Sequence, residues 1–122
     1  MMIIPLERMC DADPLLKQLL SDSEGLKVAE FDADNIPSAP YVCWQIINAN
    51  PEQYLSDRSD MDDIYVQIDI YASKKATARQ ISKLVRNAIE EDCYLEGYTG
   101  AEREPETKLY RVSLDTRWLE EP

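Results

Sequence analysis

Ile64-Tyr65-Val66-Gln67-Ile68-Asp69-Ile70-Tyr71 is followed, after Ala72-Ser73-Lys74, by Lys75-Ala76-Thr77-Ala78-Arg79-Gln80-Ile81-Ser82-Lys83-Leu84-Val85-Arg86-Asn87-Ala88-Ile89 and then Glu90-Glu91-Asp92. The hydrophobic period changes inside this stretch. Over 64–71 the aliphatics alternate strictly with Tyr, Gln and Asp, the signature of a strand with one apolar face. Over 75–92 neither Gly nor Pro interrupts, and Ala78, Ile81, Leu84, Val85, Ala88 and Ile89 recur at helical spacing. That pattern predicts an amphipathic helix whose wet side holds Lys75, Arg79, Lys83, Arg86 and Asn87. A strand with one greasy face, followed by a helix with one greasy stripe, predicts that the helix covers the sheet.

Two further segments share the strand period. Residues 41–48 set Val42, Trp44 and Ile46 against Tyr41, Cys43, Gln45 and Ile47. Residues 109–118 set Tyr110, Val112, Leu114, Thr116 and Trp118 against Leu109, Arg111, Ser113, Asp115 and Arg117. The expected fold is therefore α+β: an antiparallel sheet with helices on one face, a long hairpin arm, and one domain spanning 1–122. Its expected core is Trp44, Val66, Ile68, Ile81, Val85, Val112 and Leu114. Upstream, residues 5–20 read as helix in two pieces, because Asp13-Pro14 supplies an N-cap and a first-turn proline ahead of Leu15, Leu16, Leu19 and Leu20. Ser21 to Gly25 ends that helix, Leu26 to Phe31 is a short possible strand, and 32–40 is a connector with prolines at 37 and 40.

Composition removes whole classes of chemistry. The chain has 122 residues, 24 Asp+Glu against 13 Lys+Arg, a formal charge of −11 and no histidine. Imidazole-dependent triads, shuttles and metal sites cannot be built from it. With three glycines, at 25, 97 and 100, it holds neither a dinucleotide fingerprint nor a P-loop. The charge argues against duplex DNA or an anionic membrane as a high-affinity surface. Cys10, Cys43 and Cys93 are odd in number and form no C-x-x-C pair, so they are expected as reduced, mostly buried small residues of a cytosolic setting. The stretch from Met1 to Leu6 offers no basic, apolar leader pattern, so neither export nor a membrane span is expected. Carboxylates are plentiful, but none is anchored to a nucleophile, base or metal arrangement. No catalytic residue, cofactor or metal ligand is assigned.

What remains is surface. The second sheet face carries three tyrosines with both charge signs, more than a solvated face needs, and reads as a subunit contact. The candidates are Tyr41, Gln45, Gln67, Asp69, Tyr71, Arg111, Asp115 and Arg117. The connection from 49 to 63 is long for a hairpin, and its aspartates lack the glycine and spacing of a calcium loop. Its residues Gln53, Tyr54, Leu55, Asp57, Arg58 and Asp60 are the candidates for contact with a partner, on an arm projecting over 51–62. The stretch 96–107, with Gly97 and Gly100, is expected as an exposed connection into the last strand.

Four pieces in order, Pro40-Tyr41-Val42-Cys43-Trp44-Gln45, Pro51-Glu52-Gln53-Tyr54-Leu55, Val66-Gln67-Ile68-Asp69-Ile70-Tyr71-Ala72 and Glu106-Thr107-Lys108-Leu109-Tyr110-Arg111, resemble the tail completion proteins of long-tailed phages. These are also called tail terminator or head-tail joining proteins. The resemblance covers about residues 12–119. It implies a non-enzymatic virion protein of the tail or neck, assembled in the host cytoplasm. Its expected partners are further copies of itself in a ring, typically a hexamer, the tail tube protein, and a head-tail connector or stopper protein. DNA would only pass through the channel, and no membrane is involved. The competing reading is an acidic DNA-mimic or inhibitor that binds a basic partner. A carboxylate hydrolase is a more distant third.

Overall fold

Asp13 begins the second helix as its sequence requires. The Asp13 carboxylate accepts from the backbone N–H of Leu15 at 2.9 Å and of Leu16 at 3.2 Å, and Pro14 occupies the first turn. The computed structural model describes residues 4–51 and 62–120, with side chains from 4 to 49 and 63 to 119. In chain order the elements are α1 (Leu6–Asp11), α2 (Pro14–Leu20), β1 (Ser21–Asp22), β2 (Gly25–Leu26), β3 (Val28–Glu30), β4 (Tyr41–Pro51), β5 (Asp62–Ala72), α3 (Lys75–Ile89), β6 (Tyr94–Tyr98), β7 (Glu102–Arg103) and β8 (Tyr110–Glu120). β1 and β2 form a small hairpin whose turn needs Gly25, at φ +119°.

The remaining strands make a six-stranded sheet in the order β3-β4-β5-β8-β6, with β7 also paired to β8. All pairs are antiparallel except β3 with β4. The parallel pair is possible because the 32–40 connector returns the chain to the start of β4. The sheet is thus mixed α+β, mostly antiparallel, with the helices packed against it.

All seven expected core residues are buried, at 4% exposure or less. They pack with Ile64, Ile70, Trp118 and the helix residues Ala78 and Ile89, while Leu16 and Leu20 enter from α2. Polar atoms on this face are satisfied inside it. The Trp44 indole N–H donates to Glu7 Oε1 of α1 at 2.6 Å, and Trp118 donates to Thr116 Oγ1, which donates to the Val66 carbonyl.

Four expectations change in detail. Leu15 is 42% exposed, because only Leu16, Leu20 and in part Leu19 of its stripe reach the sheet. The expected helix over 75–92 stops at Ile89, after which a tight turn runs to Cys93, whose thiol donates to the Ile89 carbonyl. The connection expected over 49–63 is shorter, since the β4–β5 ladder continues to Pro51 opposite Asp62. The stretch 96–107 is not simply a connection: β6 and β7 lie within or across it, both paired to β8, so the sheet gains an edge.

Candidate assembly interface

The face opposite the helices is built in rungs, because β4, β5 and β8 run in register across it. Tyr41, Tyr71 and Arg111 form the first rung, Cys43, Asp69 and Ser113 the second, and Gln45, Gln67 and Asp115 the third. Tyr65, Arg117 and Tyr94 form the fourth. A bulge in β4 at Ile47 resets the register before the last rung and leaves Ile47 60% exposed. All eight sequence candidates for a subunit contact therefore lie on one face.

They do not play one role. Tyr41 stacks on Tyr71, centroids 4.9 Å apart and 17° from parallel, and is itself buried. Asp69 is buried too. Its carboxylate accepts from the Ser113 hydroxyl at 2.5 Å and from the Gln67 amide at 3.0 and 3.1 Å. Ser113 is fixed in turn by Thr99, whose hydroxyl accepts from the Ser113 N–H at 3.0 Å. This second rung is an internal polar clamp that holds β5, β8 and the 99–101 turn together. Gln45 and Asp115 are exposed, and Gln67, Tyr71, Arg111 and Arg117 are half-buried, so these six are the groups a neighbour can reach.

The two arginines are held but not hidden. Arg117 pairs with Asp63 through Nε at 2.6 Å and Nη2 at 2.9 Å, a bidentate fork, and lies 5.6 Å over the Tyr94 ring. Arg111 stands 3.6 Å from Glu104; burial works against its charge, but the hydrogen bond with Tyr71 and the nearby Asp69 outweigh it and hold the guanidinium above its ordinary value. Burial pushes the Tyr41 hydroxyl up to about 12, with the neighbouring Tyr71 adding to it, and burial pushes the Cys43 thiol up to about 12. No group here is poised as a nucleophile or proton shuttle; the face is a stiff patterned surface.

Sequence reading missed Tyr94 and Gly97, which extend the face through β6. The alternation over 94–98 is the signal for that strand, masked by Gly97 and the surrounding acids. The six arm candidates, Gln53, Tyr54, Leu55, Asp57, Arg58 and Asp60, lie outside the described residues.

The family model for "Tail completion protein gp17" matches residues 12–121. The chain belongs to the tail completion protein gp17 family. A chain in the virion of native gene transfer agent (GTA) particle has a similar fold, with TM-score 0.68 over 96% of this chain and 92% of that one, at 17% identity. No curated protein matches the sequence. This tail completion protein is accordingly a structural, non-enzymatic component of a virion tail. The alternative of a DNA-mimic inhibitor gives way to that assignment. A non-enzymatic role suits a site whose side chains are spent on mutual pairing and whose remaining groups offer contact area.

Proposed function

We propose that the chain caps the head-proximal end of the tail tube as a ring, most simply of six copies, ending tail growth and joining tail to head. Its partners would be other copies of itself, the tail tube protein and a head-tail connector or stopper. DNA passes through the channel without specific contact, and no membrane takes part. The observation that carries the reading is the open face: four cross-strand rungs of Tyr, Gln, Asp and Arg on a sheet whose opposite side is already filled by its own helices. A surface pre-ordered in this way loses little side-chain freedom on association.

The β4–β5 ladder supports the second half of the reading. Each strand has eleven residues, so the pair extends roughly 35 Å, and residues 52–61 join its far end. That connection contains Tyr54 and Leu55, the residue types for an apolar anchor on tube or connector, with Gln53, Asp57, Arg58 and Asp60 near them in sequence as polar partners. Loop-closure entropy grows slowly with length, so replacing 52–61 by a tight turn should leave stability roughly unchanged. Particles made with this variant should show tails of uncontrolled length, or heads without tails. Uniform tails joined to filled heads would remove the arm from the capping function.

A further inference from the structure

A closed ring of identical chains joins two different surfaces of the same chain at every contact. For a subunit of charge −11, contacts between copies are favoured where the joined surfaces are locally opposite in sign. The fold carries one concentrated cationic surface that the open face does not use. Between Asp69 and Glu90 there is no carboxylate, and this stretch contains five of the 13 basic residues. Lys75, Arg79, Lys83 and Arg86 fall at intervals of four, four and three along α3. They form a single exposed stripe roughly 16 Å long, and Lys74 adjoins it.

These cations are not consumed within the domain. Among the described residues none of the five makes an ion pair, although 24 carboxylates are present in the chain. Lys75 instead rests 5.8 Å from the Tyr110 ring and Arg86 5.7 Å from the Tyr98 ring, and Tyr98 is itself 66% exposed. The two ends of the stripe therefore rest on aromatic rings, and all four cations face outward.

The complementary surface lies at the β3 margin of the sheet. Glu24, Glu30, Asp32 and Asp34 are all exposed there, beside Phe31 at 51% and Ile36 at 58% exposure. A groove of about 350 Å³ runs between the β1–β2 hairpin, β3 and the connector, lined by Leu26, Phe31 and Ile36, by the acids Glu30 and Asp32, and by one cation, Lys27, whose ammonium is held by the Ser38 carbonyl at 3.1 Å. A groove that mixes apolar walls with carboxylates suits arginine and lysine, whose aliphatic stems pack on apolar surface while their heads pair with acids. The groove also reaches Tyr41 and Cys43, so it is continuous with the open face.

We propose that the α3 stripe of one copy docks against the β3 margin of the next, so that each ring contact joins the helix side of one subunit to the open side of its neighbour. This rests on the ring reading above and supplies its contact. The occupant is a second copy rather than nucleic acid, because the chain as a whole repels phosphate and carries its own matching acidic groove.

A charge swap tests it. R79E/K83E makes the stripe acidic, and E30K/D34K makes the margin less acidic and partly basic; all four side chains are exposed, so both variants should fold and melt like the wild type. Sedimentation velocity of the purified chains at low and high salt is the readout. Each variant alone should associate at least about tenfold more weakly than an equimolar mixture of the two, and high salt should erase the difference. A mixture that associates no better than its components overturns the proposal, as does R79E/K83E self-association at wild-type strength. Duplex DNA binding by the wild type at low salt that disappears in R79E/K83E would assign the stripe to phosphate and also overturn it. Failure of the ring reading is seen elsewhere, as a single copy of the chain per tail in assembled particles.

Discussion

On the helix-covered face, alternate residues of β4, β5 and β8 are aliphatics and tryptophans sealed by α1, α2 and α3; on the opposite face, the residues between them are Tyr, Gln, Asp, Ser and Arg. The same backbone ladder serves both. The covered face is held by area removed from water, which tolerates no charge. The open face is held by partner-specific hydrogen bonds and stacks, which tolerate exposure but not the loss of a buried partner. The two faces should therefore fail differently when altered, and the difference runs through the middle of each strand.

The largest effect should come from putting a charge on the covered side. Ile68→Asp places a carboxylate at a position with 0% exposure among aliphatics and should abolish cooperative folding, a loss of at least about 4 kcal/mol. Loss of the near-UV signal and of a sharp melt would show it. A native-like melt would mean that the two faces have been exchanged.

A smaller loss should follow at the one rung of the open face that behaves like a core. Asp69→Ala strips acceptors from the Ser113 hydroxyl and the Gln67 amide and should destabilise the isolated chain by about 1–3 kcal/mol in a urea titration. Changing the exposed Gln45 or Asp115 to Ala should stay within about 0.5 kcal/mol. Equal effects at all three positions would erase the distinction between clamp and contact surface.

The sequence made the covered face legible almost residue by residue, since burial of an aliphatic every second or every third to fourth position leaves a periodic mark. It also placed the eight open-face candidates together, because strand alternation assigns both faces at once. It could not divide those eight into clamp and contact. That Asp69 is buried depends on Ser113, 44 positions away, and on Thr99 from a turn that carries no periodic signal. Nor could it show that Glu7 closes over the Trp44 indole, a contact between residues 37 apart. β6 and β7 escaped for a related reason: they are short edge strands, mostly solvent-facing, and what defines them is their pairing with β8.

Alkaline pH acts on both faces in the same direction. Tyr41 and Cys43 on the open face, and Cys10 among the helices, each have their acid group pushed up to about 12 by burial. Between their ordinary values, near 9 to 10, and about 12, the unfolded chain gives up these protons while the folded chain keeps them. The folded state then binds more protons, so stability is fully present below pH 9 and is lost as pH rises toward 12. Tyr41→Phe and Cys43→Ala should each flatten part of that decline, measured as midpoint of denaturation against pH. Near neutral pH the three thiols stay protonated and should react slowly with thiol reagents, Cys93, the most exposed of them, soonest.

Electron cryomicroscopy of assembled tails, with the chain located at the tail end, decides between a ring with covered sheet faces and the alternatives. The expected image is a closed ring of this chain at the head-proximal end, in which each subunit's Gln45, Tyr71 and Asp115 face is covered by its neighbour. A chain present there as a single copy, or as a ring whose open sheet faces all look into solvent, would contradict it.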